Sequence, residues 1–306
     1  MPHPWLFGTV LFGLAASLSW GTGDFSGGLA SRRVHVFSVV LTVYVVGVVL
    51  LPILALAWSE PLPSWRDTLW GATAGLAGTL GLTAFYRSLA IGRMGINAPI
   101  TSVLAAALPV IFSAISEGLP RPLQMAGFAV ALLAVALVSR PERTSGRPEG
   151  LGLALLAGLG FGSFFILIGQ VSAHAIFWPL TASRIASLLF MIVFMRIRGD
   201  ALLPKKPVLP SDMATARVAT TIHDEALPPK KPVLLLLLLA GTLDVAGNVF
   251  FVLATHSGRL DVASILSSLY SAVTILLAAI ILRERVSRIQ AVGIALALGA
   301  ILLISA

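Results

Sequence analysis

The feature that most constrains this chain is residues 36–58, VFSVVLTVYVVGVVLLPILALAW, an apolar run without a single charged residue. Crossing a bilayer core about 30 Å thick as a helix takes roughly 20 such residues. This run has that length, and comparable runs recur to the end of the chain. Hydrophobic residues make up 57% of the 306 positions and charged residues 11%. Soluble domains carry roughly a quarter charged residues, and a water-bounded core cannot absorb this much apolar side chain. In lipid every backbone N–H and C=O must be bonded internally, so only helices or closed barrels span. The runs lack the apolar–polar alternation of barrel strands. The chain therefore reads as an all-α integral membrane protein.

Ten transmembrane helices are predicted, over 5–30, 36–58, 68–91, 96–116, 122–140, 150–172, 177–197, 233–255, 260–282 and 288–305. The opening MPHPWLFGTVLFGLAASLSW has no basic segment and no small-residue cleavage site, so it reads as the first span rather than a removed leader. Two connections stand out. PERTSGRPE, 141–149, is polar and divides the chain near its middle. Residues 198–232 are rich in proline and charge. They hold a near-duplication, ALLPKKPVL at 201–209 and ALPPKKPVL at 226–234. The simpler reading is a duplication in a loop that tolerates insertion. The alternative is a lipid or partner site formed by Lys205, Lys206, Lys230 and Lys231.

An internal repeat organises the rest. Phe85 matches Phe251, Gly92-Arg93 matches Gly258-Arg259, Ser102 matches Ser268, Gln124 matches Gln290 and Gly127 matches Gly293, each 166 positions apart. The chain divides into two units: 1–140, then the linker 141–149, then 150–306 with the loop insertion at 198–232. Five spans is an odd number, so the second unit must enter the membrane from the opposite side. The charges agree, since lysine and arginine favour the cytoplasmic side. Loops 1–2, 3–4, 5–6, 7–8 and 9–10 hold 17 Lys and Arg, whereas the other side holds only Arg66, Arg121 and Arg259. The odd-numbered loops are expected to be cytoplasmic and both termini outside. In LRERVSRIQAVG, Arg283, Arg285 and Arg288 then pin the last turn to the cytoplasmic face.

The stretch SILSSLYSAVTILLAAIILRERVSRIQAVGIALALGAILL, starting at Ser264, resembles the closing helix pair of EamA-type members of the drug/metabolite transporter superfamily. APITSVLAAALPVIFSAISEGLPRPLQMAGFAV, from Ala98, is its first-half version, and SWGTGDFSGGLASRR, from Ser19, is similar to that family's first helix. The resemblance covers nearly the whole chain outside 198–232. Ser271 stands where the family often has proline, and Arg283 and Ser116 where it often has glycine. The resemblance implies two inverted five-helix repeats around a central polar pocket opened alternately to each side. It implies a transporter of small metabolites, often an exporter, in a bacterial plasma membrane. It leaves the substrate open among amino acids, sugars, nucleosides and lipophilic cations.

Inverted repeats put substrate sites near the midplane where the halves meet. Polar groups at that depth are expensive and are usually functional or paired. Four charged residues fall within spans away from the terminal residues. Arg184 and Asp244 lie near the middle of theirs, and Asp24 and Arg87 nearer the cytoplasmic ends. Arg184 is either a fixed cation for a substrate carboxylate or phosphate or the structural partner of Asp244. Asp24 and Asp244 are the only acids placed well inside spans, away from their ends, and so the candidates to carry a coupling proton. Asp24 and Arg87 form either a cytoplasmic gate pair or two interface residues reaching headgroups. With the uncharged candidates, the substrate-binding set is Trp20, Asp24, Arg87, Asn97, Arg184, Asp244, Asn248, Ser267 and Tyr270. Ser102, Gln170, Ser264 and Ser268 are further polar candidates. Ser264, Ser267, Ser268 and Ser271 share one helix face, where small residues also serve close packing. Gly71 and Gly75 read as a packing groove. Trp5, Trp58, Trp65, Trp70 and Trp178, near span ends, read as interfacial anchors.

Other chemistry is excluded or unsupported. The chain has no cysteine, which removes disulfides, thiolate metal sites and a cysteine nucleophile. No phosphate-binding glycine loop followed by Lys-Ser/Thr is present, so the chain hydrolyses no ATP of its own. His3, His35, His174, His223 and His256 lie in predicted tails or loops and form no metal cluster, and no cofactor is expected. The net charge of +8 is spread over short loops and makes no nucleic-acid patch. The expectation is a secondary carrier of a small polar or amphipathic metabolite such as an amino acid, with membrane lipids around it and protons as a possible coupling ion. The alternative is a flippase or binding subunit for a lipid or lipid-linked sugar. An enzyme would need a convergent acid–base or metal set, and none is visible.

Overall fold

The computed structural model describes residues 4–92, 94–138, 149–198, 233–282 and 288–305. The linker up to residue 148, the duplicated lysines, Arg93, Arg283, Arg285, His3 and His223 lie outside the described residues. Every regular element among the described residues is a helix: α1 Pro4–Ser31, α2 Val36–Ala57, α3 Trp65–Ile91, α4 Met94–Ser116, α5 Pro122–Val138, α6 Leu151–Ile168, α7 Phe177–Arg198, α8 Val233–His256, α9 Leu260–Ser268, α10 Tyr270–Ile281 and α11 Arg288–Ser305. Helices α9 and α10 are one span broken at Leu269, so these segments make ten passes. Six of the passes are long and apolar enough to cross a membrane on their own composition. The outward side chains suit lipid: Leu56, Ile115 and Ile197 are 70%, 83% and 80% exposed.

Local chemistry explains the helix boundaries. Ser64 caps α3, accepting from the Asp67 N–H at 3.1 Å while its hydroxyl donates to the Asp67 carboxylate at 2.7 Å, a reciprocal cap. Gly150, with φ +78°, precedes α6, and a Cβ there would run into Asn97 and the Ser88 carbonyl. Proline does not decide where span nine breaks. Helix α4 stays continuous through Pro99 and Pro109, whereas its counterpart breaks without proline. There Ser268 donates to the Ile265 carbonyl at 2.7 Å and Ser271 to the Ser268 carbonyl at 3.4 Å. Such side-chain bonds compete with the helix ladder and bend it.

The packing has two-fold logic. With α1 to α5 equivalent to α6, α7, α8, α9–α10 and α11, every major contact maps onto another. Helix α1 packs on α8 as α6 packs on α3, and α3 on α7 as α8 on α2. Helix α4 packs on α6 as α9–α10 packs on α1, and α2–α7 and α5–α11 are self-equivalent. Five passes per unit make the two units antiparallel.

Two features of this packing bear on the site. First, a Cβ on Gly71 or Gly75 would collide with the backbone of Pro179 or Ser183. Helices α3 and α7 therefore touch backbone to backbone there, and the Ser187 hydroxyl donates to the Gly75 carbonyl at 2.9 Å. Second, the even-numbered loops tie the halves together. The Glu60 carboxylate accepts from the N–H groups of Ile176, Phe177 and Trp178 at 3.1, 2.9 and 3.1 Å, supplying both acceptors and negative charge to the N-terminus of α7. Asp67 accepts from the Ser172 N–H and hydroxyl at 2.9 and 3.0 Å. Arg259 donates to the Gly118 carbonyl at 2.8 Å, and its hydrogen bonds to Asp261 push the guanidinium further up from its already high range.

Candidate functional site

The site lies between the two units, and its walls come in repeat-related pairs. Gly247 on α8 leaves room for Trp20 on α1, as Gly81 on α3 does for Phe161 on α6. Trp20 and Phe161 are thus equivalent, 141 positions apart. This offset is shorter than 166 because the long loop lies between α7 and α8 and adds only to the numbering of α8 and later helices. The same rule pairs Asp24 with Phe165, Gly78 with Asp244 and Leu82 with Asn248. All eight line one central cavity of about 40 Å³, together with Phe164, Arg184 and Tyr270. The scaffold is close to symmetric and its chemistry is not. Each of three pairs sets a polar or charged side chain against phenylalanine, leucine or no side chain.

The electrostatic centre is the ion pair of Arg184 Nη2 and Asp244 Oδ2, 2.7 Å apart with side chains only 6% and 12% exposed. The Tyr44 ring centroid lies 5.6 Å from the guanidinium carbon, within cation–π range. Gly47 admits the arginine stem, because a Cβ there would meet Arg184 Cγ. Asn248 Nδ2 donates to the Asp244 carbonyl at 2.5 Å. Asp24, 7% exposed, lines the same cavity and has no ion pair among the described residues. Arg184 Nε and the Tyr270 hydroxyl are shut from solvent without a hydrogen-bond partner among the described residues. Rings close the walls: Trp20 stacks on Phe165 at 5.5 Å, Phe165 on Phe251 at 4.4 Å, and Phe85 meets Tyr270 edge-on at 6.1 Å.

Six of the nine residues proposed from the sequence meet here: Trp20, Asp24, Arg184, Asp244, Asn248 and Tyr270. The other three stand elsewhere. Arg87 is exposed and lines a separate groove on the flank, so it forms no pair with Asp24. Asn97 is fully buried and ties α4 to its neighbours, donating to the Ser88 carbonyl at 2.8 Å and the Glu149 carbonyl at 3.1 Å. Ser267 faces α1, 3.5 Å from the Gly13 carbonyl. Ser102 donates to Ser271 at 2.9 Å where α4 crosses α10, and Gln170 caps its own helix. His256 is not a solvated loop residue as expected. It ends α8 half-buried, with both ring nitrogens shut from solvent. Sequence reasoning missed Phe161, Phe164 and Phe165. The signal that finds two of them is the 141-residue offset, which maps Trp20 and Asp24 onto Phe161 and Phe165. Among the described residues no three His, Asp or Glu gather as a metal would need.

A family model for EamA-like transporters matches residues 7–140 and matches again over 148–306. The chain belongs to the EamA-like transporter family. Each match holds five of the ten passes, so the two-unit packing is the EamA architecture, and the protein is an integral membrane transporter. Solved structures agree on the fold: 27 chains match. One of them, "Crystal structure of protein", superposes with a TM-score of 0.67 at 18% identity over 96% of this chain and 95% of the other. That likeness concerns the fold alone. No curated protein matches the sequence.

Proposed function

We propose that this EamA-like protein is a secondary carrier that moves a small amphipathic metabolite bearing an amine, a zwitterionic amino acid among the candidates, by alternating access. The observation that carries the reading is the charge inventory of the central cavity. Two carboxylates face one guanidinium, and the guanidinium is already bound to Asp244. Asp24 remains without a cation among the described residues. A substrate ammonium supplies one, and the surrounding aromatic faces favour a cation further. Arg184 Nε, a donor with no hydrogen-bond partner among the described residues, suits the carboxylate of a zwitterion. Trp20, Phe161 and Phe165 suit an apolar body between the two ends.

The cavity is too small for such a substrate without movement of its walls, as a carrier between its open states requires. The ties of Glu60, Asp67 and Arg259 favour closure on the even-loop face. With the odd-loop face cytoplasmic, as the basic loops favour, substrate is taken from the cytoplasm and the direction is export. Asp24 and Asp244 are the carboxyls able to carry a coupling proton.

The test is flux in proteoliposomes with a labelled panel of amino acids, amines and carboxylates, with and without a pH gradient. The expected result is flux of amine-bearing compounds, abolished in Asp24→Asn. Arg184→Ala is expected to abolish flux of a carboxylated substrate. Flux confined to anions without an amine, or undiminished in well-folded Asp24→Asn protein, overturns the reading.

A further inference from the structure

The central cavity is not the largest. A groove of about 540 Å³ runs along the flank between α3 and α7, more than ten times the central 40 Å³. Its origin is the packing described above. Helices α3 and α7 are locked together at Gly71 and Gly75. Toward the odd-loop face the glycines on this contact run out, and Phe190 and Phe194 stand where close approach would otherwise continue. Phe194 is itself held by Phe37 of α2, edge-on at 5.8 Å, and stacks with Phe190 at 6.2 Å. The splay is therefore built in.

The lining grades with depth. The deep end is Thr79, which neighbours Gly78 of the central cavity. The walls include Leu80, Leu156 and Phe190, which are 52%, 47% and 37% exposed, so the groove opens sideways where the protein faces hydrocarbon. At the mouth stands Arg87, with His35 also on the rim. Arg87 is exposed and has neither an ion pair nor a hydrogen bond among the described residues. Helix α3 ends at Ile91, so Arg87 lies about 6 Å below the helix end and Thr79 about 12 Å deeper at 1.5 Å per residue. That places a bare cation at headgroup level and an apolar trough beneath it. The Thr83 hydroxyl in the trough wall is shut from solvent without a partner among the described residues.

We propose that this groove binds one anionic phospholipid, its phosphate on Arg87 and an acyl chain laid along Leu80, Leu156 and Phe190 toward Thr79. Charge selects the occupant: the Arg87 guanidinium at the rim, unpaired among the described residues, prefers phosphate with net negative charge, on the face that also carries most of the basic residues. The chain wedges α3 and α7 apart at the odd-loop end. Because Gly78 and Leu82 of α3 line the central cavity, the lipid bears on the helix that forms one wall of the transport site.

The test uses the purified full-length protein and native mass spectrometry, titrating phosphatidylglycerol against phosphatidylcholine of identical chains. One phosphatidylglycerol is expected to be retained about tenfold more tightly than phosphatidylcholine, the scale of one charge-assisted bond. Arg87→Gln is expected to reduce it to the phosphatidylcholine level. Filling the trough with Thr83→Phe, or at the more exposed position with Leu156→Trp, is expected to remove both lipids. Equal retention of the two lipids by the unaltered protein overturns the proposal. So does an unchanged preference in Arg87→Gln, or full retention in folded Leu156→Trp. Lipid retention is read without any transported substrate and is expected to survive Asp24→Asn, so it stands or falls apart from the transport reading.

Discussion

Removing one partner of the central ion pair should be far more damaging than removing both, and the two single variants should differ. Arg184 and Asp244 sit 2.7 Å apart and nearly out of solvent. Breaking such a pair from one side typically costs about 3–5 kcal/mol, because a charge is left buried without a partner, whereas replacing both by apolar residues is often neutral. The cavity refines this expectation. Arg184→Met leaves two carboxylates, Asp24 and Asp244, in one cavity with no cation, so the full 3–5 kcal/mol of this class applies. Asp244→Asn leaves Arg184 with Asp24 lining the same cavity, so its cost falls below that range. Large domains lose about 2 °C of Tm per kcal/mol, which puts Arg184→Met roughly 6–10 °C below the unaltered protein. Asp244→Asn should lie between them, and Arg184→Met/Asp244→Leu close to the unaltered protein although inactive in flux. The assay is thermal unfolding in detergent, with proteoliposome flux on the same preparations. A double variant as unstable as Arg184→Met, or an Arg184→Met shift below about 2 °C, refutes the argument from uncompensated charge.

Other expectations come from the packing and the topology. Gly75→Val drives a side chain into the Ser183 backbone and should destabilise by about 1–3 kcal/mol as overpacking does, read as a fall in Tm; an unchanged Tm denies that α3 and α7 touch there. Glu60→Gln keeps the shape but removes the charge at the α7 N-terminus, with a loss of about 0.3–1 kcal/mol. Phe250 stands half-buried near the even-loop end of α8 and stacks on Phe12 of α1 at 6.4 Å; because the chain has no cysteine, Phe250→Cys combined with Glu60→Gln reports opening of the even-loop face, and thiol labelling that does not speed up argues against the tie. Single cysteines at His35 and Glu149 should react with an impermeant reagent from the cytoplasmic side and one at Ser59 from the other; labelling of Ser59→Cys and His35→Cys from the same side would remove the assigned topology.

The membrane spans were legible because hydropathy acts along one helix at a time. A run such as 36–58 declares its solvent whatever packs beside it, and the observed α2, Val36–Ala57, ends one residue short of it. The site was legible where charge made it so. Asp24, Arg184 and Asp244 are intolerable in lipid, so their inward position followed from their chemistry. Uncharged residues carry no such signal. Asn97 and Asn248 look alike in sequence, yet one ties carbonyls at the end of α3 and the other lines the cavity. Ser267 and Tyr270 are three residues apart and part company at the break at Leu269. Phenylalanine is welcome against lipid and against a ligand alike, so Phe161, Phe164 and Phe165 announced nothing. Arg87 shows the converse error. A charge near a span end can snorkel outward, and this one stands on the flank.

By itself the amino-acid sequence determined that the chain lives in a bilayer as helices and that its two halves repeat with opposite insertion. Each of these comes from patterns read along the chain, or from the parity of five. Only the tertiary structure decided that Arg184 meets Asp244, sixty positions away, that Asp24 is left without a cation among the described residues, and that α3 and α7 part to open a groove. Those outcomes depend on which faces of distant helices come together. That is set by glycine contacts and ring packing between helices, which hydropathy along a single helix does not record.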